Sequence, residues 1–200
     1  DPDTARFVPG HKLTDEQARA VARVATSSGG FRSFLLHGIT GSGKTEVYLH
    51  LVARVLQRGA QALVLTAPYY TRTNQAETLD HFRYVRDAVD LPVVAYDIPV
   101  CVNIKLARDT VNTLAREQVV VALKDSSGDE GGFRMLLRDL HDRPDFALFT
   151  GSEVVADAAL LGGAHGIVPG LANVDPQGYV RLYDHARAGR WQEARAEQDR

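Results

Sequence analysis

Short apolar runs and longer amphipathic segments take turns along this chain, and that alternation is what most limits its fold. "FRSFLLHG", "QALVLTAPYY", "LPVVAYDIP", "VVVALKDSSG", "FALFTGSE" and "AHGIVPG" are apolar at neighbouring positions, as strands buried on both faces must be. Between them, "KTEVYLHLVARVLQRG", "NQAETLDHFRYVRDAV", "LARDTVNTLARE", "EGGFRMLLRDLHDR" and "VVADAALLGG" read as helices. One more helix leads, in "LTDEQARAVARVATSSGG". Thr14 is its N-cap, Gln17 completes a capping box, and Gly29 and Gly30 stop it. "PQGYVRLYDHARAGRWQEARAEQDR" closes the chain as helix, broken near Gly189. Strands separated by helices must run parallel, with right-handed crossovers.

A closed barrel of eight strands takes ~250 residues, and 200 residues carry about six here. The fold class expected is therefore α/β, parallel strands alternating with helices, as an incomplete TIM-barrel-like or open sheet of about six strands. It is read as a single α/β domain over 1–200: lead-in 1–12, a helix-strand-helix unit at 13–61, and the remaining strands at 62–200. Open sheet edges invite pairing, so a homodimer through those edges is the expected partnership.

Charge and cysteine content narrow the setting. Net charge is −2, so no strong field recruits nucleic acid or a membrane surface. No apolar run approaches the roughly 18 residues of a membrane span. The single cysteine, Cys101, cannot form a disulfide within the chain. The polar start "DPDTARFVPGHK" lacks a signal-peptide core, and a cytoplasmic protein is expected.

Two stretches carry chemistry. The first is "LHGITGSGKTE". Gly38, Gly41, Gly43, Lys44 and Thr45 match G-x-x-x-x-G-K-[ST], with a strand before and a helix after. Such a loop, with Ser42 among its members, turns backbone N–H groups around phosphate oxygens. Lys44 would reach the terminal phosphates of ATP or ADP, and Thr45 would ligate Mg²⁺. No later strand ends in the acidic pair that turnover needs, so binding without hydrolysis is expected.

The second stretch is "VALKDSSGD". Lys124 stands at the carboxyl end of an apolar strand, where desolvation favours a neutral, nucleophilic amine. Tyr96 stands at the same end of another strand, where a phenol can shuttle protons. Taken singly, a strand-end lysine is more often a surface residue and a strand tyrosine a core aromatic. Together, on a parallel sheet, they converge on one face.

Two resemblances follow from these motifs. Residues 13 to about 65, with "GSGKTEVYL" at their centre, resemble the start of the helicase core of a bacterial primosomal replication-restart helicase. The acidic and later motifs of that family are absent. Residues from about 62 to 200 resemble the dihydrodipicolinate synthase / N-acetylneuraminate lyase family through "LTAPYYTRTNQ", "YDIP", "LKDSSGD", "TGSE" and "GAHGIVPGLANV". That resemblance implies an aldolase-type lyase acting on pyruvate or a related 2-oxo acid without a cofactor. Lys124 would form the imine, Tyr96 would relay protons, and Gly151 and Val168 would line the pocket. The family's Gly-Thr-Thr-Gly-Glu-like carboxylate loop and the arginine after the tyrosine strand are missing. Joined, the two resemblances read as a chimera of impaired activity. The alternatives are a nucleotide- or phosphate-binding module, or a scaffold with no activity.

Overall fold

The structure, a computed structural model, describes residues 12–25 and 62–200. The chain divides into two compact units, 1–61 and 62–200. In the first, helix α1 (Asp15–Ala25) opens with the expected capping box. Gln17 N donates to Thr14 Oγ1 at 3.3 Å, and Thr14 N donates to Gln17 Oε1 at 2.8 Å. Each bond satisfies a backbone donor at the chain's entry into the helix.

The second unit alternates as the sequence predicts. Strand β1 (Leu63–Thr66) is followed by helix α2 (Gln75–Ala88), β2 (Val93–Asp97), a short turn of helix α3 (Pro99–Val102) and α4 (Arg108–Arg116). Then come β3 (Ala122–Asp125), α5 (Glu130–Asp139), β4 (Ala147–Thr150), α6 (Ala156–Leu161) and β5 (Gly166–Ile167). A 3₁₀ turn (Gly170–Asn173) leads to α7 (Pro176–Arg187) and α8 (Trp191–Gln198). The last two helices part at Gly189, whose φ of +72° suits a residue without Cβ.

The five described strands form one parallel sheet in sequential order, β1-β2-β3-β4-β5. The sixth expected strand, "FRSFLLHG", lies outside the described residues. Capping starts the helices where short polar residues precede them. Asn74 and Glu77 bond reciprocally at α2, and Asp129 and Asp175 accept from Gly132 N and Gly178 N at α5 and α7.

Alternation along the strands sorts the side chains. Val93 and Ala95 of β2, Leu123 of β3 and Leu148 of β4 join Phe82, Leu114, Phe133 and Leu136 from the helices in one buried cluster. Each such valine, leucine or phenylalanine, fully buried, stabilises by ~1.5–3 kcal/mol. A second, smaller cluster unites Ala156 and Leu160 of α6 with Leu182, Ala186 and Ala194 of the last two helices.

The strands are shorter than the apolar runs suggest. In "VVVALKDSSG" the pairing with β4 begins only at Ala122. Gln118 takes φ 56°, and Val119 N and Val120 N bond back to Leu114 O at 3.0 and 3.4 Å. The first apolar residues of the run are thus consumed in closing α4, although both valines are buried.

Candidate active site

Parallel pairing fixes which strand-end residues are neighbours. Thr66, Tyr96, Lys124, Phe149 and Gly166 lie in one row across the five strands, each the register partner of the next. Because strand side chains alternate, this row faces away from the buried cluster that holds Leu123 and Leu148. Tyr96 and Lys124 are half-buried. Lys124 Nζ lies 4.1 Å from the Tyr96 ring centroid, over the face of the ring. The amine and the phenol meet where the sequence placed them.

Gly151 and Val168 extend the ladder past β4 and β5. Gly151 N donates to Asp125 O at 2.6 Å and Val168 N to Thr150 O at 2.8 Å. Both amides are therefore committed to the sheet. What Gly151 offers is the absence of a side chain: a Cβ there would overlap Ser126 Oγ and stand 3.2 Å from Asp125 O. Val168 is 44% exposed. Gly38, Gly41, Ser42, Gly43, Lys44 and Thr45 lie outside the described residues, and so does the Mg²⁺ role read for Thr45. Among the described residues, no group of three or more His, Cys, Asp or Glu could hold a metal ion.

Behind the Tyr96–Lys124 pair is a charged cluster that the sequence reading missed. Asp97 and Asp125 directly follow Tyr96 and Lys124, pair with each other across the strands, and are buried. Asp97 Oδ1 accepts from Leu106 N at 3.1 Å, and Asp97 Oδ2 accepts from Lys105 Nζ at 3.1 Å. Lys105 Nζ also donates to Ser127 Oγ at 3.0 Å and stands 3.7 Å from Asp129 Oδ2. Ser127 N in turn donates to Asp125 Oδ1 at 2.7 Å, while Asp125 Oδ2 has no hydrogen-bond partner.

Burial pushes the Asp97 carboxyl above its ordinary range, more than the Leu106 amide and Lys105 pull it down. For Lys105, burial acts downward, but Asp97, Asp125 and Asp129 together outweigh it and hold the ammonium above its ordinary value. The sequence shows only an aspartate at the same offset after "VVAY" and after "VALK", which does not by itself bring the two together.

A cavity of about 160 Å³ lies on the side away from Lys124, lined by Asp125, Phe133, Leu137, Thr150, Val155 and Ala159 among others. It belongs to the helix-covered side of the sheet. The amine–phenol pair occupies the other face.

The sequence pattern of the dihydrodipicolinate synthetase family matches residues 10–200. The chain belongs to the dihydrodipicolinate synthetase family. Among curated members, the 4-hydroxy-tetrahydrodipicolinate synthase of Staphylococcus saprophyticus is 35% identical over 175 residues, covering 86% of this chain and 58% of that protein. The enzyme of the same name from Phenylobacterium zucineum is 30% identical over 188 residues, 94% of this chain and 63% of that protein. The dihydrodipicolinate synthase structure from Bacteroides thetaiotaomicron superposes with a TM-score of 0.70 at 32% identity, over 78% of this chain and 52% of that one. A prophage protein of the family from E. coli K12, solved in complex with pyruvate, gives 0.70 at 26% identity, over 79% and 53%.

The chain thus spans about three fifths of the curated relatives it matches. The family match runs through the helicase-like stretch at 13–65. These comparisons lend no support to a helicase-derived segment or to a chimera.

Proposed function

We propose that the chain carries the imine-forming part of a lyase or aldolase site for pyruvate or a related 2-oxo acid. The observation that carries this reading is the Lys124 amine seated over the Tyr96 ring at a paired register position. Family membership and the pyruvate complex of a family protein support the substrate class. In the reaction, Lys124 Nζ forms a bond to the keto carbon. The carbonyl oxygen takes up protons and leaves as water, and a C=N bond remains. Tyr96 is the neighbouring hydroxyl able to shuttle protons to the adduct once it has formed.

Support for the pocket roles of Gly151 and Val168 is steric, since both of their amides are already bonded. The substrate carboxylate then requires donors from elsewhere. By sequence the candidate is the glycine-rich stretch 38–45, since runs of this type bind oxyanions, carboxylate or phosphate, through backbone N–H groups. Borohydride reduction in the presence of pyruvate, followed by peptide mapping, tests the reading. Label concentrated on Lys124 is expected. Label spread over several lysines, or absent from Lys124, sinks it.

We also infer that two chains associate through sheet edges. β5 is two residues long, and no described strand pairs beyond it. Val180 (50% exposed) and Val168 lie beside it. Sedimentation velocity should show a dimer boundary growing with concentration and retreating in Val180→Glu.

A further inference from the structure

We propose that Lys105 is a positioning residue for the Tyr96–Lys124 pair. The inference rests on the 2-oxo-acid reading and concerns the same site. Lys105 touches neither reacting group. It acts on the residues that immediately follow them.

The argument starts with the register. Tyr96 and Lys124 hold their spacing only if the carboxyl ends of β2 and β3 stay aligned, because side-chain rows across a parallel pair follow backbone pairing. β3 ends at Asp125, four residues into a short strand, so few ladder bonds oppose fraying there. The last backbone bond of this pair runs from Ser126 N to Asp97 O at 2.8 Å.

Lys105 spans that junction on the opposite face. Its ammonium binds the Asp97 carboxylate at the end of β2, together with Ser127 and Asp129 in the loop that leaves β3. Ser127 passes the connection back to Asp125 through its amide. One side chain therefore ties the residue after Tyr96 to the segment after Lys124.

Charge makes the tie specific. Asp97 is 2% exposed, and its charged partner is Lys105, while Asp125 and Asp129 add negative charge nearby. Removing the ammonium leaves a buried carboxylate beside two further acids. That arrangement is relieved only by movement of the strand ends or by protonation. Neighbouring Leu106 N bonds the other Asp97 oxygen, so the segment that carries Lys105 would shift with it.

The test compares the whole chain with its Lys105→Met and Lys105→Arg variants. Saturation curves for borohydride trapping with pyruvate are read beside thermal melts at the assay pH. In Lys105→Met the limiting trapping rate should fall roughly tenfold or more, because small misplacements of reacting groups carry penalties of that order. Half-saturating pyruvate should stay within about twofold, as expected when orientation rather than binding is lost. Lys105→Arg should recover most of the rate, since the guanidinium can still bridge the carboxylates.

A folded Lys105→Met protein that traps at the wild-type limiting rate overturns the proposal, as does a Lys105→Arg protein as slow as Lys105→Met. Should Lys105→Met fail to fold, Ser127→Ala combined with Asp129→Asn cuts the outer anchors and leaves the buried pair intact. A smaller fall in limiting rate is expected there, and an unchanged rate refutes the tie. Failure of the wild-type chain to label at Lys124 refutes the lyase reading instead, so the two failures are distinguishable.

Discussion

Tyr96 brings two separable things to Lys124, a ring face and a hydroxyl. The ring provides the surface over which the amine sits. Tyr96→Phe keeps that surface and removes the hydroxyl. Imine trapping at Lys124 should therefore persist, while steady-state cleavage or condensation should fall by ~10²–10⁴, the usual share of general acid–base catalysis. Equal losses in both assays would place the hydroxyl in the imine-forming step itself. Gly151→Ala addresses space. The added Cβ meets the Ser126 side chain and Asp125 O, the latter held in the backbone ladder at the end of β3. A destabilisation of about 1–3 kcal/mol is expected, read as a lower urea midpoint. The amine and the phenol were legible because each ends an apolar run, where side-chain direction follows from strand geometry. The Lys105 cluster was not, because "DSSGD" reads equally well as a polar turn. Only the register, which a single sequence does not display, brings Asp97 beside Asp125.

Elements are joined on the helix side by ties that titrate. Arg108 of α4 forms a two-bond pair with Asp139 at the end of α5, and Asn112 Nδ2 donates to the same carboxylate at 2.9 Å. The Arg108 guanidinium, with Asn112, holds the Asp139 carboxyl down to about 2 from an ordinary 3.8. A depressed carboxyl stabilises the fold above its unfolded value and loses that contribution as pH falls through its folded one. Asp139→Asn should thus lower the urea midpoint at pH 7. The gap to wild type should shrink below about pH 4 and close near pH 2. An undiminished gap in acid would mean that the pair acts through shape and not charge. Element identity was largely legible, since helical and strand periods differ. Element ends were less so. The run "VVVALK" does not reveal that Val119 and Val120 serve the closure of α4, because the αL turn that takes them rests on Gln118, a residue with no special preference for it.

For the 62–200 unit as a whole, sequence order settled the layout, since consecutive parallel strands separated by helices become neighbours. What order does not show is how the apolar interior is partitioned. The larger cluster joins β1 through β4 to α2, α4 and α5, whereas the smaller one holds α6, α7 and α8 to one another, with Ile167 against it. Such a division sets a sequence of opening events. The C-terminal helices can detach by losing the smaller cluster alone, and the amine–phenol pair sits on strands anchored in the larger one. Native-state hydrogen exchange should accordingly resolve two tiers of amides. Those of Leu182 and Ala186 are expected to exchange through a partial opening of low free energy, and those of Leu123 and Leu148 only through global unfolding. A protein built this way can breathe at its carboxyl end, and expose that end to proteases, while the strands that carry its chemistry remain closed.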